Sequence, residues 1–141
     1  MNQSKVLDKV KKDIENHGWH VLSVFGGGSP NFSYTIGFTE TLNHPEIVMS
    51  GLSTELMHNL LNDIGELIKK GAVFKSGNFS DKVLNGYSVK FSSVNTSNIN
   101  EYFRAAEVHY GQGNFETLQC IWPDKEGKFP CESDSSQEIL V

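Results

Sequence analysis

The stretch from Leu52 to Gly71 is readable as only one element. Leu56, Leu60, Leu61, Ile64, Leu67 and Ile68 recur at helical spacing and form one wide apolar stripe. Ser53 is positioned to cap the first turn, Leu52 to staple against Met57, and Lys69, Lys70 and Gly71 suit the C-terminal end. The chain around this helix reads as strands in hairpin-like groups. Trp19 to Phe25 and Phe32 to Thr39 flank a loop, Gly26 to Pro30, whose glycines accept positive φ. The second of these strands alternates strictly, with Phe32, Tyr34, Ile36 and Phe38 on one face and Ser33, Thr35, Gly37 and Thr39 on the other.

Asn43 to Glu46 is a turn, because Pro45 fixes φ and pushes His44 out of the helical region, and Ile47 to Ser50 follows as a buried strand. Ala72 to Lys75 reads as a short strand, Ser76 onward as a polar loop, Tyr87 to Val94 as a longer strand and Phe115 to Trp122 as the last. A first helix runs from a Ser4 cap through Val6, Leu7, Val10 and Ile14 to Gly18, with Lys9, Lys11, Lys12, Asp13 and Glu15 turned to solvent. A third helix is expected from Asn98 to Tyr110. Helix, three strands, helix, two strands, helix, strand is an order that favours an α+β fold over a doubly wound one. The expected architecture is a mainly antiparallel sheet or half-open barrel with three helices. Its 141 residues, 38% of them hydrophobic, suit a single domain over residues 1–132, followed by a polar tail, 133–141.

A net charge of -5 argues against binding duplex nucleic acid through its phosphates, which draws on many lysines and arginines together. No apolar run approaches the ~20 residues of a membrane helix, and the start of the chain is not a secretory signal, so a cytoplasmic location is expected. That location makes reduced thiols the default for Cys120 and Cys131, and Cys120, in an apolar run, reads as a small core residue.

Five ordered blocks carry a resemblance. His17 to Trp19, Tyr34 to Phe38, His44 to Glu46, Gly51 with Leu52, and Gln119 to Asp124 with Gly127, Phe129 and Pro130 together resemble the bacterial and phage family known as domain of unknown function 4262. The resemblance spans about Ile14 to Glu132, and departs at Cys131, where the family pattern usually continues with tryptophan. It implies no established reaction.

His44 and Glu46 straddle Pro45, which holds an imidazole and a carboxylate close together, as a general base or ligand anchor requires and as a structural turn also does. His17 and His20 have the spacing of some metal pairs, but the intervening junction would turn them apart, and no third ligand follows, so no metal site is expected. The triple glycine lacks the helix and lysine of a phosphate loop. Trp122 beside Asp124, and Tyr34 beside Thr35, supply flat faces with polar edges suited to a planar ring.

The leading expectation is therefore a non-catalytic protein that captures a small nucleotide-like signalling molecule, a use that would suit a phage countering host defence. Trp122 and Tyr34 would flank the ring, Thr35, Gln119 and Asp124 would bind its edges, and His44 would close the rim, with Glu46 as a further ligand-binding residue. Arg104, the chain's one arginine, would meet a phosphate. No cofactor is called for, and a homo-oligomer is among the expected states. Two alternatives stand beside it: a hydrolase or flavin-binding enzyme using His44 with Glu46 or Asp124, and a protein-interaction module such as an inhibitor or immunity protein.

Overall fold

The computed structural model describes residues 3–24, 32–84, 86–94, 103–111 and 115–123. The Gly26 to Pro30 loop, the start of the expected third helix, Asp124, Phe129, Cys131 and the tail lie outside them, as does the Ser4 side chain.

Helix α1 (Gln3–His17) leads into the strands β1 (His20–Val24) and β2 (Phe32–Ile36), a short helix α2 (Phe38–Leu42), β3 (Glu46–Ser50) and the long helix α3 (Thr54–Lys69). β4 (Phe79–Leu84), β5 (Tyr87–Ser93), α4 (Arg104–Tyr110) and β6 (Thr117–Ile121) complete the described chain. The strands form one open six-stranded sheet in the order β1-β2-β3-β6-β5-β4. Every neighbouring pair is antiparallel except β3 and β6, which run parallel with Glu46 opposite Thr117 and Val48 opposite Gln119. The fold is α+β with an unclosed mixed sheet.

Strand alternation sorts the core into two layers. Ile47, Met49, Leu118, Cys120, Val89 and Phe91 pack with Met57, Leu61 and Ile64 of α3. Phe32, Tyr34, Ile36 and Val48 pack on the other side with Val10 of α1, Ala106 of α4 and Phe103. Because both faces are covered, β2, β3 and β6 are buried at every position, including polar Ser33, Thr35, Glu46 and Gln119. α3 forms as its stripe requires, with the Ser53 hydroxyl accepting from Leu56 N at 3.2 Å.

Three departures from the sequence reading have physical causes. β2 stops at Ile36 because Gly37, with φ 124°, turns the chain into α2. Phe38 consequently joins the α3 layer and does not share a face with Tyr34. Residues 72–75 form no strand: Phe74 N donates to His44 Nε2 and Lys75 N to Asn78 Oδ1, so side chains take the bonds a neighbouring strand would. The stretch read as polar loop contains edge strand β4, held by Phe79 opposite Lys90 and Ser80 opposite Val89 despite weak alternation in its sequence.

Candidate functional site

His44 and Glu46 sit at the entrance to β3, under the turn that opens α2. The Glu46 carboxylate is 0% exposed. Its Oε1 accepts from Thr35 Oγ1 at 2.8 Å and Phe38 N at 3.1 Å. Its Oε2 accepts from Thr39 N at 2.9 Å, Thr39 Oγ1 at 2.7 Å and Tyr110 OH at 2.7 Å. Burial holds this carboxyl above its ordinary value, and hydrogen bonds from Thr39, Tyr110 and Thr35 offset only part of that rise. Two of the hydroxyls are themselves held: Thr35 Oγ1 accepts from Ile47 N at 3.0 Å, and Tyr110 OH accepts from Gly37 N at 2.7 Å. Tyr110 and Thr39 are the partners that spacing in the sequence gave no means of finding.

His44 is equally committed. Its Nε2 receives the Phe74 N–H at 3.0 Å, which leaves Nδ1 to carry the proton and donate to Pro45 O at 2.9 Å. Both ring nitrogens are occupied in a neutral imidazole, and burial holds its pKa below the ordinary value. The pair ties β3 to α2, α4 and the 72–75 segment, and neither side chain presents a vacant atom to a substrate.

Among the described residues, the remaining expected site residues stand on different faces of the sheet and on α4. Tyr34 is 1% exposed, its ring edge-on to Phe103 at 4.7 Å and its hydroxyl bonded to the backbone of Ala105 and Ala106 in the first turn of α4. Trp122 packs against the α3 layer, on the opposite side of the sheet, and donates to Ser50 O at 2.8 Å. Thr35 belongs to the Glu46 shell, Gln119 is buried on β6, and Arg104 is exposed at the start of α4. Asp124 lies outside the described residues. Cys120 is buried, with its thiol pushed upward by that burial, as a core residue would be.

A concave surface among the described residues lies at the β1 edge between α1 and α3, with a volume of about 680 Å³. α1 lines it with Lys9, Asp13, Asn16 and His17, and α3 with His58, Asn62, Glu66 and Lys69; Trp19 and His20 join at the floor. Lys9, Asp13 and His17 on one helix, and His58, Asn62, Glu66 and Lys69 on the other, recur at intervals of three or four residues, so two polar helix stripes border the groove. The sequence reading assigned Lys9 and Asp13 to solvent and expected His17 and His20 to diverge; both histidines in fact line this groove, together with His58. Among the described residues no group of histidine, cysteine and carboxylate side chains is arranged to hold a metal ion.

The groove is built on the same turn as the Glu46 shell. A Cβ on Gly37 would lie 2.6 Å from Gly18 O and 2.7 Å from Trp19 Cα, so only glycine lets β2 pass this close to the chain entering β1. A Cβ on Gly65 would lie 2.5 Å from the Trp19 ring, which therefore seats against α3 with Phe38 edge-on at 5.4 Å. The indole then donates from Nε1 to Asn62 Oδ1 at 2.9 Å. Asp13 accepts from Lys9 Nζ at 2.8 Å on Oδ1 and lies 2.6 Å from His20 Nδ1 on Oδ2. Partial burial pushes the Asp13 carboxyl upward, and the bonds from Lys9 and His20 outweigh it and hold the group below its ordinary value.

The segments that meet here, His17 to Trp19, Tyr34 to Phe38 and His44 to Glu46, are blocks of the resemblance noted in the sequence. The family described as domain of unknown function (DUF4262) matches residues 13–136, most of the chain. The chain belongs to the DUF4262 family. No curated protein and no solved structure matches it. In this DUF4262 domain the three blocks form a shared scaffold. The first of them also supplies Trp19 and His17 to the groove.

Proposed function

We propose that this DUF4262 domain is a non-catalytic binding protein that captures a small, polar, nucleotide-like molecule in the groove between α1 and α3. The observation that carries the reading is the groove itself: two polar helix stripes enclosing about 680 Å³, against the roughly 300–1,000 Å³ usual for small-molecule clefts. Histidine rings, amides and ammonium groups on separate elements suit the many polar atoms of a nucleotide. Support for capture over turnover comes from the acid–base pair, since His44 has both nitrogens engaged and Glu46 is enclosed by five donors. A general base needs a vacant atom within reach of the proton it removes.

Titration calorimetry of the full chain against nucleotides, cyclic and ADP-ribose types included, tests the proposal. The expected result is saturable heat with at least one member, and recovery of that molecule unchanged after the protein is heated. Absence of heat with every member overturns capture, and recovery of a chemically altered ligand transfers the case to the hydrolase reading.

A further inference from the structure

Resting on the capture reading, the geometry points to a more specific role for the groove: we infer that it seats the phosphate end of its ligand, with the Asn62 amide nitrogen as the fixed central donor and Lys69, His58 and His20 around it. The inference starts at Trp19. Its indole N–H takes Asn62 Oδ1 at 2.9 Å, so the acceptor half of that amide is occupied and the half left over is the NH2, which only donates. Trp19 is itself clamped by Gly65 and Phe38, so the amide is held from below by a rigid ring.

Of the two carboxylates that line the groove, Asp13 is internally paired. Asp13 has one oxygen on Lys9 and the other on His20. Glu66, on the α3 wall, makes no ion pair among the described residues, and by formal count the groove's two lysines match its two carboxylates, whereas the whole chain carries -5. Among the described residues Lys69, His17 and His58 make no ion pair and no side-chain hydrogen bond. The groove is thus a donor-rich patch without net formal charge on an acidic protein, where an oxyanion meets N–H groups and less repulsion than the chain's overall charge would impose.

Asn62→Asp is the discriminating substitution. Aspartate keeps an oxygen for the Trp19 indole and exchanges the NH2 for an anionic oxygen, so the fold is retained while the donor becomes a repulsive acceptor. Calorimetry would compare matched pairs of nucleoside and nucleoside 5′-diphosphate, and inorganic pyrophosphate as the base-free probe. The expected results are diphosphates binding at least about tenfold more tightly than their nucleosides, pyrophosphate competing with them, and Asn62→Asp weakening both by about tenfold or more. Lys11→Gln, an exposed α1 cation outside the groove, should change neither. Equal binding of nucleoside and diphosphate, or binding indifferent to Asn62→Asp in a protein of unchanged melting temperature, overturns the phosphate seat and leaves capture standing. Pyrophosphate binding alone supports the seat and counts against a nucleotide. Silence from every probe overturns both.

Discussion

Two polar clusters lie a few residues apart in this protein and behave oppositely. Under the α2 turn, Glu46 is enclosed by five donors and His44 has a partner on each nitrogen. Along the β1 edge, Asn62 and His20 are each anchored on one side and line open space on the other. The residue types are nearly the same, an imidazole, an amide or carboxylate and neighbouring hydroxyls or ammonium groups. What differs is how many of each group's hydrogen bonds the fold itself completes. A fully satisfied buried network defines the fold, and a half-satisfied one at the surface has capacity left for a ligand.

The largest expected effect breaks the enclosed cluster at its backbone. Gly37→Ala would put a methyl group 2.6 Å from Gly18 O in a residue with φ 124°, and nothing nearby except backbone can yield. Two unfavourable effects combine, steric overlap and the left-handed cost, so a loss above roughly 4 kcal/mol is expected, read as failure to yield a cooperative melt. Next comes Glu46→Gln. Each carboxylate oxygen receives a backbone N–H, Phe38 N on one and Thr39 N on the other, so either orientation of the new amide sets its NH2 against a donor. Chemical denaturation should register a loss of about 1.5–3 kcal/mol, the range for losing hydrogen bonds to a charged group and leaving a buried donor unsatisfied. A loss below about 1 kcal/mol would mean that the shell does not hold a carboxylate as its geometry implies.

His44 gives a pH test of the same cluster. Its folded pKa lies below the ordinary 6.5, because burial disfavours the charged ring. As pH falls through 6.5 the unfolded chain takes up a proton that the folded chain declines, so stability present above that pH is progressively lost. The denaturation midpoint should therefore drop between about pH 7.5 and 5.5, and His44→Gln should flatten the drop over that interval. An equal slope in both proteins would assign the effect to another group.

The contrast also explains which parts of the molecule were legible in the sequence. Apolar periodicity carried α3, the β1, β2, β3, β5 and β6 strands and the α+β class, because burying a stripe is a local demand that a sequence states directly. Gly37 ended β2 earlier than alternation suggested, since the backbone donors after it have a carboxylate to meet that comes from a later strand. His44 and Glu46 were visible as a pair, but the feature that makes them structural, donors from Thr39, Phe74 and Tyr110, depends on long-range packing. The groove was written as two polar stripes, Lys9-Asp13-Asn16-His17 and His58-Asn62-Glu66-Lys69. A polar stripe on one helix looks like solvent, and only the sheet edge between two helices turns a pair of them into a site. Tyr34 and Trp122 show the converse. Strand alternation placed them on opposite sides of the sheet, which an aromatic count along the chain does not register.

The smallest expected effects fall where the clusters touch, at Asn62. Its oxygen belongs to the closed region through Trp19, and its nitrogen to the open one. Asn62→Ala removes the partner of a buried indole and should cost about 1 kcal/mol, while His58→Ala and Lys69→Ala, on exposed turns of the same helix, should stay within about 0.5 kcal/mol. Trp19 and Trp122 are the only two tryptophans, so in a Trp122→Phe background the Trp19 emission should shift on Asn62→Ala and stay fixed for the other two. Comparable destabilisation in all three would mean that the groove side chains are part of the fold's own stability. The distinction between a closed cluster that holds the structure and an open one left for binding would then fail at the point where it is sharpest.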